Sequence, residues 1–336
     1  MKARMIVSLA AIAVMALGQT GLHPPITNAQ TIMVDSVNIA TGVLMRSGLA
    51  YISHIGLDYV SVLDPETNRI IGRIKSGNGP SCVELSEAAS RGYIANNRSN
   101  EVTVFDRKTG ESIAMVPAGE HPSHLILTND SRYVLVGHES ADGLWFLDTR
   151  TNQIAKKLPE GTGILCRQDH GTKIYQSQIF VPYVFVIDPG AQTVTKRINV
   201  GGRPLDLALT PDRRYLYIAN YDLNELEKID TETDSVVERI PHVPNARGIA
   251  ITRDGRFAFV TNVLPSTVTV VDLASAAIVK VIPVGTMPTS VAFRADGKCA
   301  YVTCQGSASL FVIDTQTQEI VRSIVVDSNP IQVQVK

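Results

Sequence analysis

From about residue 49 onward the chain is written in short alternating runs of apolar and polar residues, each closed by turn-forming ones. One set of runs reads AYISH, GYIANN, YVLVGH, IYQSQ, YIAN, FVTN and YVTC. Each is followed by a run ending in Asp: YVSVLD, EVTVFD, LWFLD, YVFVID, ELEKID, TVTVVD and SLFVID. Period-two alternation predicts half-buried β-strands. The closing acids fall at Asp64, Asp106, Asp148, Asp188, Asp230, Asp272 and Asp314, so the intervals are 42, 42, 40, 42, 42 and 42 residues. A period near 40 with several short strands in each unit predicts a β-propeller and not a helical solenoid.

Each unit holds four strands in an antiparallel meander. After the Asp comes a polar turn often bearing Thr (DPETNRI, DTETDSV, DTQTQEI), then a fourth strand such as IIGRIK or SVVERI. Connectors into the next unit carry Gly and Pro, with Pro at 80, 122, 204, 288 and 330, while Ile164 and Ala246 stand where two others would be. Proline lacks a donor and suits the first residue of a strand. The innermost strands that follow (SCVELS, LDLALT, GIAITR, TSVAFR) are rich in small residues, as crowding round a narrow axis requires. After the seventh Asp the chain continues with Pro330 to Val335, an inner strand with no blade of its own. The expectation is an all-β, seven-bladed β-propeller of four-stranded antiparallel blades, closed by the C-terminal strand pairing with the unit begun at 49–75. The alternative is that Ile39 to Leu44 supplies the missing inner strand.

Thirty-one basic and 32 acidic residues leave no net-charge argument for nucleic acid. The start has the form of a secretory signal: Lys2 and Arg4, then an apolar run from Met5 to Leu17, with small residues that offer cleavage after Gly18 or Ala29. The run is too short for a stable membrane span. The organisation read here is 1–29 signal peptide and flank, 30–48 N-terminal extension and 49–336 propeller, in a periplasmic or secreted protein with no integral membrane segment after cleavage. Export permits disulfides, but Cys299 and Cys304 share one strand and Cys82 and Cys166 lie two repeats apart, so no disulfide framework is expected.

The YIAN, FVTN and YVTC strands, together with VxVIDT and IPVGxxP, resemble the YVTN family of β-propeller repeat proteins over about residues 49–335. The resemblance implies the fold. It implies no single reaction, since such propellers include periplasmic proteins of unknown role, some nucleic-acid binders and relatives of quinoprotein dehydrogenase subunits.

Chemistry in a propeller is assembled from loops of different blades. The connectors and the loops after the second strands open on one face, and His54, His121, His124, His138 and His242 all map there. Cys82, His124 and Cys166 each follow the repeat's Pro position by two residues, with Asp206, Ser290 and Gln332 in the same place farther round. With His54 and His138 they form a candidate copper or zinc set; the structural alternative is buried fillers and hydrogen-bonded loop positions. Arg167, Arg203 and Arg247 on this face could receive an anion. Phe180 and Tyr183, with Tyr221 and Leu264-Pro265 on the next two blades, suggest a patch for a protein partner. The seven Asp, and Asn96, Asn220 and Asn262, are expected to cap turns. No phosphate loop, GxSxG, HExxH or CxxCH is present, which leaves enzyme status undecided. The reading that results is an exported binding or scaffold protein acting through its loop-rich face on a protein partner or small ligand. The alternatives are a metal-dependent oxidoreductase or a propeller subunit of a periplasmic quinoprotein dehydrogenase system, with a lactonase-type hydrolase (acids Glu84 and Asp206) behind them.

Overall fold

The computed structural model describes residues 43–140, 142–159, 166–170, 172–178 and 180–336, with backbone only for 166–170. The signal segment 1–29, the extension up to residue 42, Ile164 and the side chains of Cys166, Arg167 and His170 lie outside the described residues.

The described residues form seven four-stranded antiparallel sheets, and beyond one short 3-10 turn, Val43–Met45, contain no helix. Blades 2 to 7 run outward in chain order. Their innermost strands are Pro80–Ser86, Pro122–Leu127, Cys166–His170, Pro204–Leu209, Ala246–Ile251 and Pro288–Phe293. Blade 1 is composite: the C-terminal strand Pro330–Val335 lies inside Ala50–His54, Tyr59–Asp64 and Arg69–Lys75. Its register joins Tyr51 to Gln334, Ile52 to Val333 and Ser53 to Gln332, as expected for C-terminal closure.

The same seam is fixed farther out. Tyr301 of blade 7 donates its hydroxyl to Asn68 of blade 1 at 3.1 Å, and Arg73 of blade 1 pairs with Asp327 at 2.9 Å. These contacts copy an arrangement used elsewhere, for Tyr175 of blade 4 reaches Asp234 of blade 5 at 2.7 Å. The core is a set of clusters between neighbouring blades, centred on the second and third strands and joined by residues of the inner and outer ones. The strands alternate because their two faces meet different blades, and both faces of the inner three are covered. The outer strands show instead a half-buried, half-exposed alternation, as in Gln153–Leu158 and Ala277–Pro283.

All seven Asp act as the sequence predicts. Each Oδ1 accepts the backbone N–H two residues on, for instance Glu66 at 2.9 Å from Asp64 and Glu232 at 2.9 Å from Asp230. Asp106, Asp148, Asp188, Asp272 and Asp314 do the same. Four residues after each Asp the backbone turns left-handed, at Asn68, Gly110, Asn152, Gln192, Asp234, Ala276 and Gln318. The carboxylate holds the turn that makes this conformation necessary.

The described end of the extension is part of the packing. Leu44 is fully buried among Tyr51, Val62, Val83 and Phe105, between blades 1 and 2, and its carbonyl accepts Arg107 at 3.2 Å.

Deleting Pro330–Lys336 would leave the inner edge of Ala50–His54 unpaired. Val333 alone, fully buried, contributes about 1.5–3 kcal/mol, so thermal unfolding of the shortened chain should show a loss larger than that, with self-association. An unchanged melting temperature would overturn this role for the seam.

Candidate functional site

One repeat position accounts for most of the histidine chemistry. At or just past the end of the second strand stand His54, Asn96, His138, Gln178, Asn220, Asn262 and Cys304. The residue seven places later, on the third strand, faces it. Asn96 donates to Thr103 at 2.8 Å, Asn220 to Glu227 at 3.0 Å, and Asn262 accepts from Thr269 at 2.8 Å. Asn220 and Asn262 also donate to connector carbonyls, those of Gly201 at 3.1 Å and Pro244 at 2.8 Å. The side chain thus staples the loop between blades to the hairpin beneath it.

His54 performs the same task with its ring, Nε2 lying 2.9 Å from Ser61 and Nδ1 3.2 Å from the Ser328 carbonyl. His138 bonds the carbonyls of Gly143, at 2.8 Å, and Ala118, with Trp145 5.1 Å from it, ring to ring. Both rings are fully buried. Cys304 holds the place in blade 7, its thiol pushed up to about 12 by burial.

The inner-strand position has its own structural use. The Cys82 sulfur accepts the N–H of Leu125 in the next blade at 3.3 Å, and Asp206 Oδ2 accepts that of Ile249 at 3.1 Å. Innermost strands expose an unpaired edge to the axis, and these side chains satisfy part of it. Cys166 departs from the expected equivalence. It pairs opposite Gln176, the residue after Tyr175, whereas Cys82 pairs opposite Ala95, two after Tyr93. The shortened fourth unit shifts it by one place. His124 lies at the inner wall on Gly137. Among the described residues no three His, Cys, Asp or Glu side chains gather as a metal site. Of the candidate copper or zinc set, His54 and His138 serve in staples and Cys82 accepts a neighbouring amide, while the Cys166 side chain lies outside the described residues.

The loop-rich face converges elsewhere, at the mouth of the channel. Arg247 projects from the start of the inner strand of blade 6, and Glu139 follows the second strand of blade 3. Blades three apart can meet only across the axis. Their charges do meet there: burial lowers the Arg247 pKa to about 10, with Glu139, Asp206 and Tyr221 opposing that shift. Burial likewise raises the Glu139 pKa, against the pull of Arg247, Asn97 and His121. Arg203 donates to both Asp222 oxygens, through Nε at 2.7 Å and Nη2 at 2.5 Å, and lies 4.7 Å over the Tyr221 ring. Arg203 is thus already engaged by a carboxylate.

Tyr221 itself is buried, with Leu205, Val263 and Met287. Outside this base the hairpin tips of blades 4, 5 and 6 present exposed side chains in succession: Phe180 (58% exposed), Leu223 (41%) and Leu264 (54%). Tyr183 is half-buried and meets Phe185 edge-on at 6.5 Å. Two acids escaped the sequence reading, Glu139 and Glu227. Both had a signal in the repeat, since Glu139 stands where other blades have Asn97, Tyr221, Val263 or Gln305, and Glu227 where they have Ser61, Thr103 or Thr269.

Residues 210–295, from the turn before the second strand of blade 5 into blade 7, match the model of the YNCE-like β-propeller family. That match and the seven-bladed ring agree with a β-propeller repeat protein of the YVTN type. No curated protein matches the sequence. The chain is similar in structure to a functionally unknown protein from Desulfotomaculum acetoxidans (TM-score 0.74, 15% identity, 86% of this chain and 99% of that one). It is also similar to hydrazine synthase of Kuenenia stuttgartiensis (TM-score 0.71, 18% identity, 80% and 92%). A third likeness is to the dihydro-heme d1 dehydrogenase NirN (TM-score 0.62, 17% identity, 90% and 77%). At these identities the likeness is one of fold.

Two staple residues give opposite pH signatures. Burial lowers the His54 pKa to about 4, below its ordinary 6.5; the unfolded chain then binds the extra proton, and stability is lost as pH falls from 6.5 towards 4. His54→Asn, the residue of blades 2, 5 and 6, should remove that loss, roughly 3 kcal/mol across the window. Burial raises the Glu227 pKa to about 7, so its contribution is complete below about 4.5 and is lost as pH rises through 7. Glu227→Gln should flatten that limb. Melting temperatures from pH 4 to 8 read both, and parallel profiles for wild type and variants would contradict them.

Proposed function

We propose that this propeller is an exported, noncatalytic binding protein that engages a protein partner through its loop-rich face. The observation that carries the reading is the run of exposed Phe180, Leu223 and Leu264 on the hairpin tips of three consecutive blades. Scattered exposed apolar residues are ordinary, but three at equivalent hairpin tips of consecutive blades, all on one face, support an interaction site. Beneath them Tyr221 and Arg203 form a fixed base, held by the Asp222 ion pair and the ring contact. An aromatic and an arginine set among apolar neighbours are the residue types that dominate binding energy at interfaces. Near them Arg247 and Glu139, of opposite charge and from blades three apart, act electrostatically on each other.

The Lys2 to Leu17 signal pattern supports a periplasmic or secreted location. A propeller subunit in a periplasmic dehydrogenase system is one form this partnership could take. A metal-dependent oxidoreductase has less support, because the soft and imidazole ligands serve separate hydrogen bonds.

The test is affinity co-purification from the native cell with the mature chain and with a Phe180→Asp, Leu264→Asp double variant. A protein retained by the wild type should be lost from the variant by about tenfold or more, at unchanged melting temperature. Equal retention by both, or retention of nucleic acid in place of protein with a steep salt dependence, would overturn the reading.

A further inference from the structure

Among the seven blades only blade 5 sets an acid against its staple. The residue seven places after the staple is Ser61, Thr103, Trp145, Phe185, Glu227, Thr269 or Phe311 in blades 1 to 7. An Asn staple thus meets a neutral hydroxyl in blades 2 and 6 and a carboxylate in blade 5. Glu227 is fully buried, and the groups around it do not cancel its charge. From the same strand Glu225 adds a second acid. From the outer strand Arg239 serves both, 3.1 Å from Glu227 and 3.7 Å from Glu225. Two carboxylates therefore share one guanidinium, and that guanidinium is half-exposed (52%), where water screens it. The second strand faces Glu227 with Asn220, and the nearby Arg203 and Asp222 engage each other. Burial outweighs these partners, and the acid titrates at about 7.

Asn220 has two N–H bonds to give and three acceptors within reach. Glu227 Oε2 lies at 3.0 Å, the Gly201 carbonyl at 3.1 Å and the Val200 carbonyl at 3.4 Å. Which two are served depends on the charge of Glu227, because an ionised acceptor binds a donor about twice as strongly as a neutral one. The two carbonyls belong to the connector into blade 5, where Gly201 and Gly202 are both left-handed (φ 73° and 44°). Leu223 lies against these glycines. A Cβ on Gly202 would collide with Asn220 Oδ1 and come within 2.9 Å of Leu223 Cγ. Asn220 Oδ1 also accepts the Leu223 N–H at 3.4 Å. The exposed tip residue is thus seated on the connector and the amide for which Glu227 competes.

We propose that Glu227 is a proton-operated clamp on the tip of blade 5. With the acid neutral, Asn220 gives its N–H bonds to the Val200 and Gly201 carbonyls and holds the connector and Leu223 in place. With the acid ionised, one N–H is drawn to the carboxylate, and the connector and Leu223 loosen. That this tip belongs to a docking face rests on the function proposed above; the clamp itself does not.

The experiment is amide hydrogen exchange on the full mature chain from pH 5.5 to 8.5, corrected for the intrinsic pH dependence of exchange. The Tyr221 N–H, held by the Arg203 carbonyl at 3.0 Å, reports on the blade 5 connector. Its counterpart in blade 2 is the Asn97 N–H, held by the Gly79 carbonyl at 2.8 Å, where the staple's partner is Thr103. Protection of Tyr221 should fall about fivefold or more as pH rises through 7, while that of Asn97 stays level. Glu227→Gln should keep Tyr221 level, with Glu227→Thr, the residue type of blades 2 and 6, as the second variant should the first fail to fold. Glu225→Gln should retain the fall and move it to lower pH, since Glu225 helps to hold the Glu227 proton. Three results would overturn the clamp: a level Tyr221 profile in the wild type, an equal fall at Asn97, or an undiminished fall in a folded Glu227 variant. A level profile would leave the co-purification test standing, and failure of that test would alter none of these readings.

Discussion

The pairing of Ala50–His54 with Pro330–Val335 is the constraint on which the molecule depends. A sheet wedge cannot stop at six and a half: each blade covers the face of the one before it, and an open ring would leave two apolar faces and two strand edges in water. The closing strand brings Val333 into the cluster that joins blades 7 and 1. It also brings Gln332 and Gln334 to the axis and Lys336 to Glu84. Fold and channel chemistry are thus set by the same C-terminal segment, Pro330 to Lys336.

Within the ring, geometry is repeated more faithfully than residue identity. The connector above each hairpin needs a buried polar group to receive or supply a hydrogen bond, and Asn, His or Gln of the right reach can stand there. His54 and His138 are therefore read best as variants of Asn96 and Asn220, not as ligands that happen to lie at loop ends. The same reasoning applies to Cys82 and Asp206, chemically dissimilar groups that each accept an amide from the next blade. A side chain that looks reactive in the sequence can be doing what its bland counterpart does one blade away.

The blade number, the four-strand meander, the closure and the Asp turns were legible because each is written several times over, and a pattern with period 42 survives local noise. Phe180 and Leu264 were legible as surface residues because turn chemistry places them at hairpin tips. The mutual electrostatic influence of Arg247 and Glu139 was not, since it joins blades three apart across the axis. Cys166 was misplaced because the unit around it is two residues short, so counting from Pro no longer gives the register. The uneven lining of the channel was hidden for a related reason: Ala250 and Ala292 looked like ordinary small inner-strand residues until Gln334 and Glu84, at the same repeat position in other blades, were set beside them.

Tyr51 and Gln334 are partners separated by almost the whole described chain. During synthesis the first blade can form only three of its strands, and its inner border stays unsatisfied until the last residues emerge. Contacts of such long sequence separation are the slow ones in folding, and an unsatisfied border is open to any passing strand. A circular permutant that starts at Pro330 and leads directly into residue 43 would make that contact local, and should refold faster than the natural order while reaching the same ring.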